Sequence, residues 1–226
     1  MTMTERRTFL QRLAAGALAL AAVPAAARAE DATAAGEPGG AHSPLAEWDE
    51  KWMDALTGKY RQFFDVAQPR DAAVLAPVRN FLNAYRDVYG TKDAEVTAVV
   101  GLHGSAAAAA FTDSAWAKFR LGQSSNFIDE ATKAPALVNI FASASPQLPA
   151  DVALPALQAR GVLVLLCNNS VLRIARGLET GGYGKVDAMR SELLGQHLVP
   201  GVVLVPAMVV AANRLQMRGV SYVKLA

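Results

Sequence analysis

From residue 45 onward, apolar residues fall into two alternating patterns. The first is a short run dense in apolar residues, found over residues 61–66, 95–102, 161–167, 202–205 and 220–225 and apolar on both faces in the middle three. Runs of that length, rich in Val and Leu, predict buried strands. The second is a stripe recurring every three or four residues, which predicts helices with one apolar face. In residues 72–89 the stripe is Val78, Phe81, Leu82 and Tyr85, opened by Asp71 as a candidate N-cap and stopped by Gly90. Further helices are predicted in the Ala-rich stretch 106–121, where Thr112 or Asp113 is a candidate cap for a second helical piece, and over 152–158, 171–177, 186–194 and 206–218, with a short one in 45–57, where Trp48 and Trp52 share a face. Strands apolar on both sides that alternate with helices predict an α/β fold. The expectation is a single domain with a five-stranded, mainly parallel sheet and helices on both faces, three layers in all.

Residues 123–149 fit neither pattern. They carry Ser124, Ser125, Pro135, Pro146 and Pro149 and read as an insertion or long loop. Such loops are uncommon in compact domains unless they serve a function or an interface. Gly181-Gly182-Tyr183-Gly184 lies between two helices rather than between a strand and a helix, so it reads as a turn and not as a phosphate loop.

Ahead of the globular pattern, Arg6-Arg7-Thr8-Phe9-Leu10 is followed by an apolar run over 13–23 and by Ala27-Arg28-Ala29 before Glu30. A twin arginine, an Ala- and Gly-rich core too short to span a bilayer, and an A-x-A site predict a twin-arginine (Tat) translocation signal over residues 1–29. Residues 30–44 lack apolar periodicity and read as a flexible leader, with His42 exposed and idle within it. The globular domain is then 45–226, and the expected location is the periplasm. Residues 199–212 come nearest to membrane length, but Pro200, Gly201 and Pro206 interrupt them, so no stable membrane span is expected after cleavage.

Composition narrows the function classes. With 52% hydrophobic and 19% charged residues, the chain is not a disordered segment. Of its 22 basic and 20 acidic side chains, the signal holds four arginines and one glutamate, which leaves 18 against 19 and no basic footprint for nucleic acid. One cysteine excludes an intrachain disulfide and any multi-cysteine zinc or iron–sulfur site. Three histidines leave no histidine-rich cage, so no metal or cofactor is expected.

Ligands of open parallel sheets bind beyond the carboxyl ends of the strands. Two reactive residue types fall there: His103 after the second strand and Cys167 closing the third. A thiol facing the start of the next helix meets unpaired amides and the positive end of the helix dipole, which favour the reactive thiolate. Asn168, Asn169 and Ser170 follow it and offer caps and pocket-lining groups. The competing reading is a free thiol packed as a small hydrophobe. His103, followed by Gly104-Ser105, is placed to act as a base or ligand beside Cys167, or else is a histidine satisfied by backbone. Cys167 and His103 are therefore the candidate catalytic residues, and Gly104, Asn168, Asn169 and Ser170 the candidate ligand-binding ones. Asp113 and Asn168 are candidates for an orienting third group. Trp116, Lys118 and Phe119 read as core and helix surface.

Three segments carry a family resemblance: 161–168, the Pro200-Gly201-Val202 turn, and Arg218-Gly219-Val220-Ser221-Tyr222-Val223. They resemble the DsrE/DsrF-like family of sulfur-relay proteins. The His-Gly after the second strand, Trp116-Ala117-Lys118-Phe119 and Cys167-Asn168 are similar to a Tat-exported, uncharacterised subgroup of that fold. The resemblance spans roughly residues 60–226. It implies a compact α/β domain that assembles into homo-trimers or hexamers, with a persulfide-carrying strand-end cysteine at the position of Cys167. Export and the 123–149 segment set this chain apart from the cytoplasmic relay proteins.

Two functions follow as expectations. One is an exported protein that binds or carries sulfur species on Cys167, with a small sulfur compound as ligand and the Tat translocase as its partner during export. The alternative is a non-enzymatic, oligomeric periplasmic binding or accessory protein without thiol chemistry.

Overall fold

Five strands form one sheet in the order β4-β3-β2-β1-β5: β1 (Tyr60–Val66), β2 (Val96–Leu102), β3 (Leu163–Cys167), β4 (Val202–Val205) and β5 (Ser221–Leu225). Every pairing is parallel. The computed structural model describes residues 48, 50–146 and 148–225. The expected signal, the leader and His42 lie outside them. No described helix is long and apolar enough to cross a membrane.

The helices are α1 (Ala76–Tyr89), α2 (Asp113–Phe119), α3 (Leu121–Ser125), α4 (Leu154–Ala159), α5 (Asn168–Thr180), α6 (Val186–Gln196) and α7 (Met208–Met217). Alternation along the strands sorts the core into two layers. Phe64, Val66, Val100, Leu102, Val164 and Leu166 pack on one face, beneath α1, α2, α4, α5 and α6. Phe63, Val99, Leu165, Cys167 and Val205 pack on the other, beneath α7 and a 3₁₀ turn at Lys51–Ala55. This is the three-layer α/β arrangement expected from the sequence. β2 is central and buried at all seven positions, which is why its run reads as continuously apolar.

Helix α1 follows the predicted logic. Asp71 accepts from the Ala73 amide and caps the 3₁₀ turn Ala72–Leu75 that leads into it. Val78 and Leu82 are buried, Phe81 meets Phe64 edge to face, and Gly90 closes the helix in the left-handed region at φ +66.

Several boundaries differ from expectation. The stretch 106–121 divides where the sequence offered a cap, with Thr112 as the N-cap of α2, but its first piece is not an α-helix. Gly104–Ala110 is a 3₁₀ helix, Phe111 is extended and bridges Leu198, and only then does α2 begin. Five consecutive alanines, 106–110, are fully buried, so packing rather than alanine's helix propensity sets the backbone there. The helix predicted over 152–158 is divided at Ala153, whose ψ of 142° is not helical. Among the described residues of 45–57, the helical part is the 3₁₀ turn Lys51–Ala55.

The 123–149 segment is not a surface appendage. Phe127, Ala136, Phe141 and Leu148 are core residues. Phe127 stacks on Trp116 with ring centres 5.8 Å apart and meets Phe141 edge to face. Buried Asn139 donates through Nδ2 to the carbonyls of Ala109 and Phe111 at 2.9 and 2.7 Å. One side-chain amide thus replaces the regular pairing that this irregular backbone lacks. Leu137 and Val138 remain exposed.

Candidate functional site

The strand ends carry a row of polar side chains on the α7 face. Asp65 sits on β1 one alternation beyond Phe63, which points into that layer. Its Oδ1 lies 2.7 Å from His103 Nε2, and its Oδ2 accepts a 2.7 Å hydrogen bond from Tyr222 Oη on β5. Three strands therefore converge on one carboxylate. The Asp65 side chain is 13% exposed and the His103 ring 28%. The Tyr222 phenol is pushed up to about 12, first by its hydrogen bond to Asp65, then by burial and the carboxylate's negative charge. Tyr222 thus remains a donor, and Asp65 accepts from both sides.

The register adds Cys167. Leu102 pairs with Leu166, and Cys167 pairs with Val205 on the far side. Continued by one residue, the β2–β3 register sets His103 opposite Cys167. Paired residues of adjacent parallel strands share a face, with backbones about 4.8 Å apart. Asp65 is the only hydrogen-bond partner of the His103 ring among the described residues. With Nε2–H donated to that carboxylate, Nδ1 is the basic nitrogen.

Cys167 is the N-cap residue of α5, a helix of 13 residues, and it is 5% exposed among Val205, Met208 and Leu165. The helix starts at Asn168, three residues ahead of the predicted 171–177, and takes in the Asn168-Asn169-Ser170 segment expected to cap it. The other sequence candidates divide. The Gly104 amide donates to Ser170 Oγ at 3.0 Å, which ties the loop after β2 to the first turn of α5. Gly104 has φ +56, and a Cβ there would fall 2.4 Å from the Ala67 carbonyl oxygen, so only glycine lets the chain turn at this point. Asn168 is buried and accepts from Arg190 Nε at 2.8 Å, which joins α5 to α6. Asn169 is exposed. Asp113 accepts from the Asn139 amide and so anchors the 123–149 segment.

Asp65 and Tyr222 were absent from the sequence-based site. Asp65 did leave a signal, as a carboxylate inside the apolar strand Phe63-Phe64-Asp65-Val66. Tyr222 left none, because its role depends on β5 pairing with β1. Among the described residues, no group of three or more His, Cys, Asp and Glu side chains could hold a metal ion.

No protein-family model matches the chain. No curated protein matches it. Among solved structures, the protein of unknown function MTH1491 from Methanobacterium thermoautotrophicum is similar with a TM-score of 0.39 and 16% identity, over 74% of this chain and 99% of that one. A likeness of that degree carries no argument about activity.

Proposed function

We propose that this chain is an exported sulfur-handling protein of the DsrE-like kind, in which Cys167 accepts a sulfane sulfur and His103 takes the thiol proton. The observation that supports this reading is the alignment of Asp65, His103 and Cys167 across three neighbouring strand ends. His103 Nδ1 removes the proton from Sγ, and Asp65 holds the resulting imidazolium through Nε2. The thiolate attacks the terminal sulfur of an inorganic polysulfide. A bond forms between Sγ and that sulfur, the adjacent S–S bond breaks, and its electron pair leaves on a polysulfide one atom shorter. Cys167 then carries a persulfide, and no outside oxidant or reductant is required. Tat export, a periplasmic location and assembly into a homo-trimer or hexamer belong to the same proposal and rest on the sequence resemblance.

A second reading is a non-enzymatic binding or accessory protein. The observation that favours it is the burial of Cys167 in an apolar cluster, where many free cysteines are inert. Intact-mass spectrometry of the protein, purified without reductant and treated with sodium tetrasulfide, separates the two. The sulfur-handling reading requires a gain of one sulfur atom that is absent in Cys167→Ser and slower in His103→Ala and Asp65→Asn. If no sulfur is gained, or loading survives Cys167→Ser, the accessory reading replaces it.

A further inference from the structure

A cavity of about 460 Å³ opens between α3 and the second half of α5, and no residue of the Tyr222–Asp65–His103–Cys167 row lines it. Its wall combines two kinds of surface. Arg120 and Arg173 line it together with Gln123, Ser124 and Ser125. Ile174, Tyr183 and the edge of nearly buried Phe119 bring apolar area. The Phe119 and Tyr183 rings meet edge to face with centres 5.7 Å apart.

Neither guanidinium has a hydrogen bond or ion pair with a described residue. Arg79, Arg160 and Arg214 are engaged by Asp151, Asp93 and Glu50, whereas Arg70 and Arg176 are unpaired among the described residues like the two here, so it is the sharing of one concavity that sets Arg120 and Arg173 apart. Two unpaired guanidiniums on one concavity make a strong anion receptor, because each offers a planar fork of donors.

Two backbone features bear on the same cavity. Arg120 occupies the left-handed region at φ 50, ψ 48 where α2 ends, a place that glycine or asparagine takes without strain. The conformation is a strained one for arginine, as it is for Lys133 at φ 54. Gly177 lies inside α5 and lines the cavity, yet a Cβ on it would meet nothing within 4 Å. Packing does not require glycine at that position, and alanine would hold the helix better. What a larger residue would occupy is the cavity itself.

We propose that this cleft binds a small organic anion. Its acidic group sits on Arg120 and Arg173, its flat apolar body lies against Ile174 and Tyr183, and Gly177 leaves room for it. The ligand class is an aromatic or similarly flat carboxylate, sulfonate or phosphate monoester. The volume suits one such molecule.

The test uses the full chain and the aromatic sulfonate 8-anilinonaphthalene-1-sulfonate, followed by fluorescence. The expected result is saturable binding of one probe per chain, displaced by benzoate and by phenyl phosphate but not by neutral benzyl alcohol. Arg120→Gly removes one guanidinium while relieving the backbone, and Gly177→Leu fills the cavity from the helix. Arg120→Gly should weaken probe binding at least tenfold and Gly177→Leu should abolish saturation, each with a thermal midpoint no lower than the parent's. Arg173→Gln gives a further reading if Gly177→Leu does not fold. Native-like probe binding in the variants, no saturable binding in the parent, or benzyl alcohol competing as well as benzoate would overturn the proposal.

Discussion

Tyr222 Oη donates to Asp65 Oδ2 at 2.7 Å, across the pairing of the last strand with the first. The other oxygen of the same carboxylate takes His103. The phenol, pushed up to about 12, therefore reports on the integrity of the strand-end row. Its folded value lies above the unfolded value of about 10, so the protonated phenol's contribution is fully present below pH ~10 and is lost as pH rises through the folded value. Ultraviolet difference titration of the protein against Tyr222→Phe isolates this tyrosine. Its midpoint is expected near 12, moving toward 10 in Asp65→Asn. An identical midpoint in Asp65→Asn would sink the assignment.

Arg160 ties three parts of the chain together. Its Nε and Nη2 donate to the two oxygens of Asp93 at 2.8 and 2.9 Å, and Nη1 donates to Asn83 Oδ1 at 2.7 Å. The Asp93 carboxyl is held below the usual carboxylate range by that hydrogen bond and by the arginine's charge. A lowered folded value means the stabilisation is present above the unfolded carboxylate value and is lost as pH falls through the folded one. Both side chains are partly solvated, so Arg160→Ala should cost only about 1–2 kcal/mol at pH 7. Chemical denaturation of parent and variant should show that difference narrowing below pH ~4. A difference that stays constant from pH 7 to 3 would rule the ion pair out as its cause.

Phe127 measures whether the 123–149 segment is part of the core. It is fully buried between Trp116 and Phe141. Phe127→Ala is expected to destabilise the domain by about 3–5 kcal/mol, the range for aromatic truncation in a packed core. Removing a true insertion would leave the midpoint of unfolding nearly unchanged. Thermal or urea unfolding distinguishes the two, and a loss under about 1 kcal/mol would restore the segment to a surface role.

The export expectation rests on Arg6-Arg7. Replacing both with lysine should leave the protein in the cytoplasm with its first 29 residues attached. The parent should accumulate in the periplasm beginning at Glu30. Cell fractionation with N-terminal mass analysis reads both outcomes. Normal periplasmic accumulation of the Lys-Lys variant would refute the twin-arginine route.

Much of the fold was legible because burial on both faces forces a continuous apolar run in β2 and β3, and because β1, β4 and β5, less fully covered, still carry short apolar clusters. All five strands fall within a few residues of their apolar runs, and α1 was marked at both ends by Asp71 and Gly90. His103 and Cys167 could be placed at strand ends for the same reason. The break at Ala153 and the 3₁₀ course of 104–110 were not legible, because alanine is compatible with several backbones and neighbours decide among them. Phe127, Phe141 and Asn139 gave no periodic signal, since an irregular segment buries its side chains one at a time.

Sequence alone therefore determined the α/β class, the strand runs and two of the residues at the strand ends. Only the tertiary structure decided which strands are neighbours. Hydrophobic patterning records whether a strand is covered but not what lies beside it, so nothing local indicated that β5 returns to β1. That return brings Tyr222 to Asp65, and the β1–β2 pairing brings Asp65 to His103. The cleft between α3 and α5 depends on tertiary structure for the same reason. Arg120, Arg173 and Gly177 become one surface only when two crossover segments pack side by side on the same face of the sheet.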